Sequence, residues 1–280
     1  MPVFNGEKHL KSALDSLLSQ SYKNFTLIIS DNGSTDNTEK ICRTYAQKDS
    51  RIRYYKNNKN IGAPNNFQKL LNMATTPYFM WAAHDDLWEP TFILENLNCL
   101  KKNNKAILVF CNFDYFKEVN NIKRLKSSNY PFFIMNNEEN IFKRLKNSIY
   151  NNYAMFIYGI FRTEFLKKAS KFPKTSEDGY FDDNLLLFRV AFLGSFLMNP
   201  KILFHKRTKL LFLNNSSKKA SQNITFVKNF SKRQTIYRQN LRKIILKSNL
   251  KLFKKLILLL HTYRVQVYFY YRTIKKRHAK

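Results

Sequence analysis

The stretch FTLIISDNGSTDNTEKICRTYA, residues 25–46, decides the fold class. FTLIIS (25–30) has the length and the β-branched, apolar character of a buried strand. DNGSTDN follows as a polar turn, in which Gly33 permits unusual backbone angles and Asp and Asn side chains bond nearby backbone. A helix is predicted to begin near Ser34 to Asp36. Strand, polar turn and helix in this order make half of a parallel α/β unit.

The neighbouring segments repeat the alternation. EKHLKSALDSLLSQ places Leu10, Ala13, Leu14, Leu17 and Leu18 on one helical face, with Asn5 as its N-cap. IRYY (52–55) reads as a strand, NIG as a turn and NFQKLLNMA as a helix. YFMWAA (78–83) reads as a strand, Pro90 opens a helix to about Leu100, and AILVFCNFDYF (106–116) is a further strand. The predicted architecture is α/β, a mainly parallel sheet with helices on both faces. MPVFN is short enough to be only the end of a first strand, so a truncated first strand or a misplaced start codon is expected. Residues 117–175 read as irregular with short helices, and YFDDNLLLFRVAFLG (180–194) as a helix with Leu186, Val190 and Leu193 turned inward.

Charge divides the 280 residues unevenly. The formal net charge is +30, yet residues 1–100 hold 11 basic and 10 acidic side chains. No Asp or Glu follows Asp183, while residues 184–280 carry 23 Lys and Arg. Three cysteines with no CxxC argue against a disulfide framework or a zinc site, and fit a reducing cytosol. No basic segment followed by an apolar one suggests a signal peptide, and the greasiest run, 256–271, contains His261, Arg264 and Gln266.

In open α/β sheets, ligands bind beyond the carboxyl ends of the strands. Polar clusters fall at three such ends: PVFN (2–5), SDNGSTD (30–36) and HDD (84–86). Adjacent Asp85 and Asp86 repel unless a cation stands beside them, and Mg²⁺ or Mn²⁺ carrying a diphosphate meets that need. Their alternative is to cap the helix that starts near Pro90.

These ordered motifs, PVFNGEKHL, LDSLLSQSY, FTLIISDNGSTDNT, IRYYKNNKNIGAPNNF and YFMWAAHDDLWEP, together resemble glycosyltransferase family 2, the inverting enzymes of GT-A fold. The resemblance covers residues 1–100 closely and extends more loosely to about 210. It implies a base pocket lined by Pro2, Val3, Phe4, Asn5 and Asp31 of the D-x-G-S-x-D motif that includes Gly33. Asp31 would accept the uracil N3–H; its alternative is a turn Asp capping the next helix, a role that Asp36 fits better. Asn60 and Gly62 match the family, while Pro64, Asn65 and Asn66 stand where it usually has an Arg. HDD fills the D-x-D place: Asp86 would bind the metal, Asp85 the ribose or a metal-bound water, and His84 would be structural. Asp183, or Asp182, would be the catalytic base, both alternatively serving as first-turn acids on their helix. Lys206 and Arg207 match a basic pair of the family, Lys209 stands in place of its His, and His205 is close by.

The resemblance implies transfer from a nucleotide-diphosphate sugar, a UDP-sugar in this reading, to a hydroxyl of a cell-surface glycan or lipid-linked acceptor. Residues 1–215 would form the catalytic domain, with the nucleotide bound by residues 1–105 and the acceptor by residues 106–215. Residues 216–280 would form a basic helical extension. Interleaved basic, apolar and aromatic residues over 225–280 suit an anionic membrane surface, which would place the protein peripherally at the inner face of the cell membrane. A solvated helical face would carry acids too, and no nucleic-acid motif is present, so no nucleic-acid partner is expected. The reading from another class is a truncated, non-catalytic, membrane-associated scaffold.

Overall fold

The computed structural model describes residues 1–119, 122–127, 137–150, 154–169, 172–173, 182–208 and 220–264. Strand β1 (Pro2–Val3) lies parallel to β2 (Leu27–Asp31), pairing Pro2 with Ser30 and Val3 with Asp31. β3 (Ile52–Lys56) adds in parallel on the other side of β2. Helix α1 (Glu7–Leu18) joins β1 to β2 and buries Leu10, Ala13, Leu14 and Leu17, the face that its periodicity predicts. Its N-cap is Gly6 rather than Asn5, because Asn5 adopts a left-handed φ of 48° and turns its side chain to the neighbouring loop. Helix α2 (Thr38–Lys48) starts later than expected, since residues 31–37 are used in loop contacts, and α3 (Ala63–Met73) follows β3.

The second sheet is mixed, with strand order β4-β8-β6-β9-β5 and β7 paired to β6. Its members are β4 (Tyr78–Phe79), β5 (Leu87–Trp88), β6 (Ala106–Val119), β7 (Ile122–Ser127), β8 (Ile160–Arg162) and β9 (Ser195–Arg207). Of these pairs only β6–β9 is parallel. YFMWAA is thus a strand only at Tyr78–Phe79, and that strand is antiparallel to β8. The rest of the run is core: fully buried Trp81 meets Phe79, Phe161 and Phe172 edge-on at 4.7–5.9 Å. Helix α4 (Phe92–Lys102) is capped by Thr91, one residue after Pro90.

Residues 137–150 and 154–169 carry the expected short helices, α5 (Ile141–Tyr150) and α6 (Thr163–Lys168), and also a 3₁₀ turn (Ala154–Tyr158) and β8. Helix α7 (Asp182–Val190) buries Leu186 and Val190, but Leu193 lies beyond its end and is exposed. Two helices follow, α8 (Ala220–Lys247) and α9 (252–264). The expected boundary at 215 and the segment after 264 lie outside the described residues.

One irregularity positions the site. The β6–β9 register shifts between Cys111 and Phe113, where partner Asn199 gives way to Ile202 and then Phe204. The surplus residues include Pro200, which has no N–H for the ladder and is tolerated at such a bulge. Asn199 Oδ1 accepts from the Lys201 N–H and closes the bulge. Beyond it, β9 runs on as His205, Lys206 and Arg207 beside β5, whose Leu87 pairs with His205.

Candidate active site

Loops at the carboxyl ends of β1 and β2 are tied to each other. The Asn5 N–H donates to Ser34 Oγ at 2.9 Å, and Asn5 Oδ1 accepts from the Thr35 N–H at 2.9 Å. The Gly6 N–H donates to Thr38 Oγ1, and Asp36 accepts from the N–H groups of Glu7 and Thr38. Between these contacts Phe4 is 42% exposed, an aromatic face left open at the strand end, while Pro2 is buried in β1. Gly6 also packs against His84: a Cβ there would come within 2.8 Å of its ring. The segments PVFN, SDNGSTD and HDD therefore converge, although HDD precedes β5 rather than ending a strand.

Asp31 is fully buried. Its Oδ1 accepts from the Ser34 N–H at 2.8 Å and its Oδ2 from the Tyr54 hydroxyl at 2.7 Å. Each oxygen keeps a further lone pair. Beside it, Asn32 accepts from the Ile61 N–H and from Asn57 and donates to Asn60, which accepts from the Gly62 N–H. Asn66 bonds both the hydroxyl and the carbonyl of Ser30, and Lys69 donates to Asn57 at 2.6 Å. Gly33, at φ 77°, approaches the Lys59–Asn60 backbone so closely that a Cβ would lie 3.0 Å from it.

The second acidic centre forms around Lys206. Its Nζ donates to Oδ2 of fully buried Asp86 at 2.8 Å, and the Arg207 N–H donates to Oδ1 at 2.9 Å. Arg207 Nε holds the Asp85 carbonyl at 2.7 Å, so β9 grips the HDD segment three times. Lys206 Nζ also lies 5.3 Å from the centre of the Tyr158 ring. Burial works against the lysine's charge, but Tyr158, Asp86 and Asp85 outweigh it and hold the ammonium above its usual range. Asp86 is pushed up to about 6, by burial opposed chiefly by Lys206. Asp183, in the first turn of α7, is pushed up to about 7 by burial and by neighbouring Asp182, with Lys206 opposing. Lys206 thus acts on both Asp86 and Asp183, and Asp182 beside Asp183 is buried.

The model of the family described as "Glycosyl transferase family 2" matches residues 1–166. This chain belongs to glycosyltransferase family 2. A glycosyltransferase of Rickettsia typhi is 38% identical over 115 residues, 41% of this chain and 35% of that protein. The chain thus spans about a third of that relative. Among solved structures, S. aureus TarS 1–349 in complex with UDP-GlcNAc superposes with a TM-score of 0.65 at 19% identity, over 93% of this chain and 69% of that one. The mannosyltransferase PcManGT of Pyrobaculum calidifontis, in complex with GDP-Man and Mn²⁺, gives 0.57 at 14%, over 99% and 82%. At such identities the likeness establishes the fold, which is GT-A.

Within this family 2 chain, the Mn²⁺ or Mg²⁺ expected at Asp85–Asp86 meets an arrangement that does not fit it. A hard divalent cation needs several oxygen ligands in an open shell. Each oxygen of Asp86 accepts one hydrogen bond, one of them from an ammonium that would repel the ion, and His84 stands in place of a carboxylate. Among the described residues no group of three His, Cys, Asp or Glu side chains is arranged to hold a metal. His205, near the family's histidine place, is bound elsewhere, with Nδ1 2.5 Å from Asp114 and Nε2 2.7 Å from Glu89. That ring borders a separate cleft of about 560 Å³ lined by Ser12, Asp15 and Ser16 of α1.

Sequence reading missed Tyr54, Tyr158 and the Lys206–Asp86 pair. Tyr54 was accessible, because period-two alternation puts it on the same face as buried Ile52 and so against the sheet's neighbours. Lys206 and Asp86 are 120 residues apart, and no local pattern links them.

Proposed function

We propose that this chain transfers a sugar from a UDP-sugar to an acceptor hydroxyl with inversion at the anomeric carbon. The observation that supports the reading is that α7, with Asp183 in its first turn, packs on the 3₁₀ turn whose Tyr158 ring lies against Lys206, the partner of Asp86. The donor assignment is supported by TarS, which shares the fold and whose structures include complexes with UDP and UDP-GlcNAc.

In this reading Asp31 accepts the uracil N3–H through a remaining lone pair, with Tyr54 and the Ser34 N–H fixing its carboxylate. Phe4 and Asn5 border the base, and Asn60, Gly62 and Gly33 shape the loop facing it. Asp85 borders the ribose. Ionised Asp183 takes the proton of the acceptor hydroxyl as its oxygen bonds to the anomeric carbon. The bond from that carbon to the diphosphate oxygen breaks on the opposite face, and UDP leaves with the electron pair. Asp182 keeps Asp183 basic by like-charge repulsion. The acceptor is a hydroxyl of a surface glycan or of a lipid-linked precursor.

Calorimetric titration tests the reading with UDP, GDP and CMP against wild type and Asp31→Ala. The expected result is selective UDP binding that the substitution abolishes. A folded wild type that binds none of the three sinks it.

A further inference from the structure

The donor's diphosphate needs a positive partner as it departs, and a divalent ion does not fit beside Asp86. We infer that Lys206 is itself that partner, a built-in cation held in place by Asp86. This rests on the UDP-sugar reading above. Three observations carry it. The ammonium stands 2.8 Å from Oδ2 of a fully buried carboxylate, at the D-x-D place of the chain. Its side chain is 20% exposed, so it reaches the site rather than being sealed beneath it. An ammonium has three N–H donors, and Asp86 takes one. Backbone and guanidinium of Arg207 clamp the same segment, leaving Lys206 rigidly aimed. In this scheme Lys206 touches the leaving diphosphate and is catalytic, while Asp86 is a positioning residue.

UDP affinity is to be measured by calorimetry in EDTA and in Mn²⁺ for wild type, Lys206→Met and Lys206→Arg. Bound Mn²⁺ is counted separately by electron paramagnetic resonance, without turnover. Wild type is expected to bind UDP within about threefold the same in both media. Lys206→Met should lose at least tenfold in EDTA, regain affinity in Mn²⁺ and show a bound Mn²⁺ signal that wild type lacks. Lys206→Arg, which keeps the charge, should bind without metal and guards against a mere folding defect. Wild-type binding that requires Mn²⁺, or Lys206→Met binding like wild type in EDTA, overturns this inference and leaves the donor reading standing. No UDP binding in either medium overturns both.

A second surface is carried by separate observations. Helix α9 is docked by one side: Leu258 and Thr262 are buried, Arg242 donates to Thr262, and the Tyr150 hydroxyl meets His261. Its other side leaves Leu252, Phe253, Leu256, Leu260 and Tyr263 between 50% and 72% exposed. At 3.6 residues per turn these five fall within about 100° of arc, a continuous apolar stripe. Lys254 and Arg264 are exposed on the same helix, Lys251 is exposed just before it, and no acid follows Asp183. Among the described residues no helix is long and apolar enough to cross a membrane. We propose that this stripe lies in the headgroup layer of an anionic bilayer, attaching the enzyme peripherally.

The test is co-sedimentation of the full chain with phosphatidylcholine vesicles, with and without phosphatidylglycerol. Wild type should sediment with the anionic vesicles, and the exposed double substitution Leu256→Glu with Leu260→Glu should weaken binding at least tenfold without changing the melting temperature. Equal binding by both proteins overturns the proposal. So does a wild-type dimer, seen by light scattering, that the substitution dissolves while no vesicles are bound.

Discussion

The hydroxyl of Tyr54 on β3 donates to Oδ2 of Asp31 on β2, at 2.7 Å and across one strand spacing. Asp31 is fully buried, so its carboxylate depends on this bond and on the Ser34 N–H for solvation. Burial and Asp31 together push the phenol's pKa upward, which keeps it a donor at any ordinary pH. Tyr54→Phe removes one hydrogen bond to a charged group. Urea denaturation should show a loss of about 2 kcal/mol with an unchanged slope. UDP affinity should fall several-fold, since the carboxylate loses its orientation.

Asp183→Asn should lower turnover by about 10²–10⁴-fold, as expected for loss of a general base. Its donor affinity should stay close to wild type. Burial raises Asp183 from 3.8 to about 7, so the rate of the wild type should climb with pH toward about 7 and then level. The sign for stability is the opposite. The folded chain keeps this proton where the unfolded chain has lost it, so the contribution to stability is full below about 4 and is lost as pH rises to about 7. Comparing melting temperatures of wild type and Asp183→Asn across that window reads the effect directly, because the Asn variant lacks it.

Two glycines separate backbone strain from crowding. Gly62, at φ 83°, would give a new Cβ only one neighbour, Pro64 Cδ at 4.0 Å. Gly62→Ala should therefore cost the conformational penalty alone, about 1–3 kcal/mol, since φ 83° with ψ 152° is a region essentially kept to glycine. Gly33→Ala adds a contact of 3.0 Å with the Lys59 backbone, which no side-chain rotation relieves. It should destabilise more than Gly62→Ala in the same denaturation series, and it should weaken UDP binding by displacing the loop around Asp31.

The legible regions of this protein are those whose contacts are local. The apolar face of α1, β2 and the helical character of α2 follow from periodicities of a dozen residues. Family resemblance extended that to the fold. The misread regions share a cause. YFMWAA is apolar enough for a buried strand, yet Trp81 is a core plug; a short apolar run does not distinguish the two. Asn5 suits a helix cap, but its left-handed backbone commits it to Thr35. No local pattern shows that β9 delivers Lys206 to Asp86 from far along the chain.

That delivery bears on the order in which the chain folds. β1, β2 and β3 are joined by connections of 23 and 20 residues, whereas β6 must find β9 and β5 must find β9 across far longer ones, as in Ala106 with Ser195 and Leu87 with His205. Closing longer loops costs more entropy before any contact is gained. The nucleotide-side layer is thus expected to become protected first in pulsed hydrogen exchange, with β5 and the end of β9 later. Lys206 and Asp86 would then meet last, so slowing β9 docking would yield a compact, partly protected intermediate that lacks their ion pair.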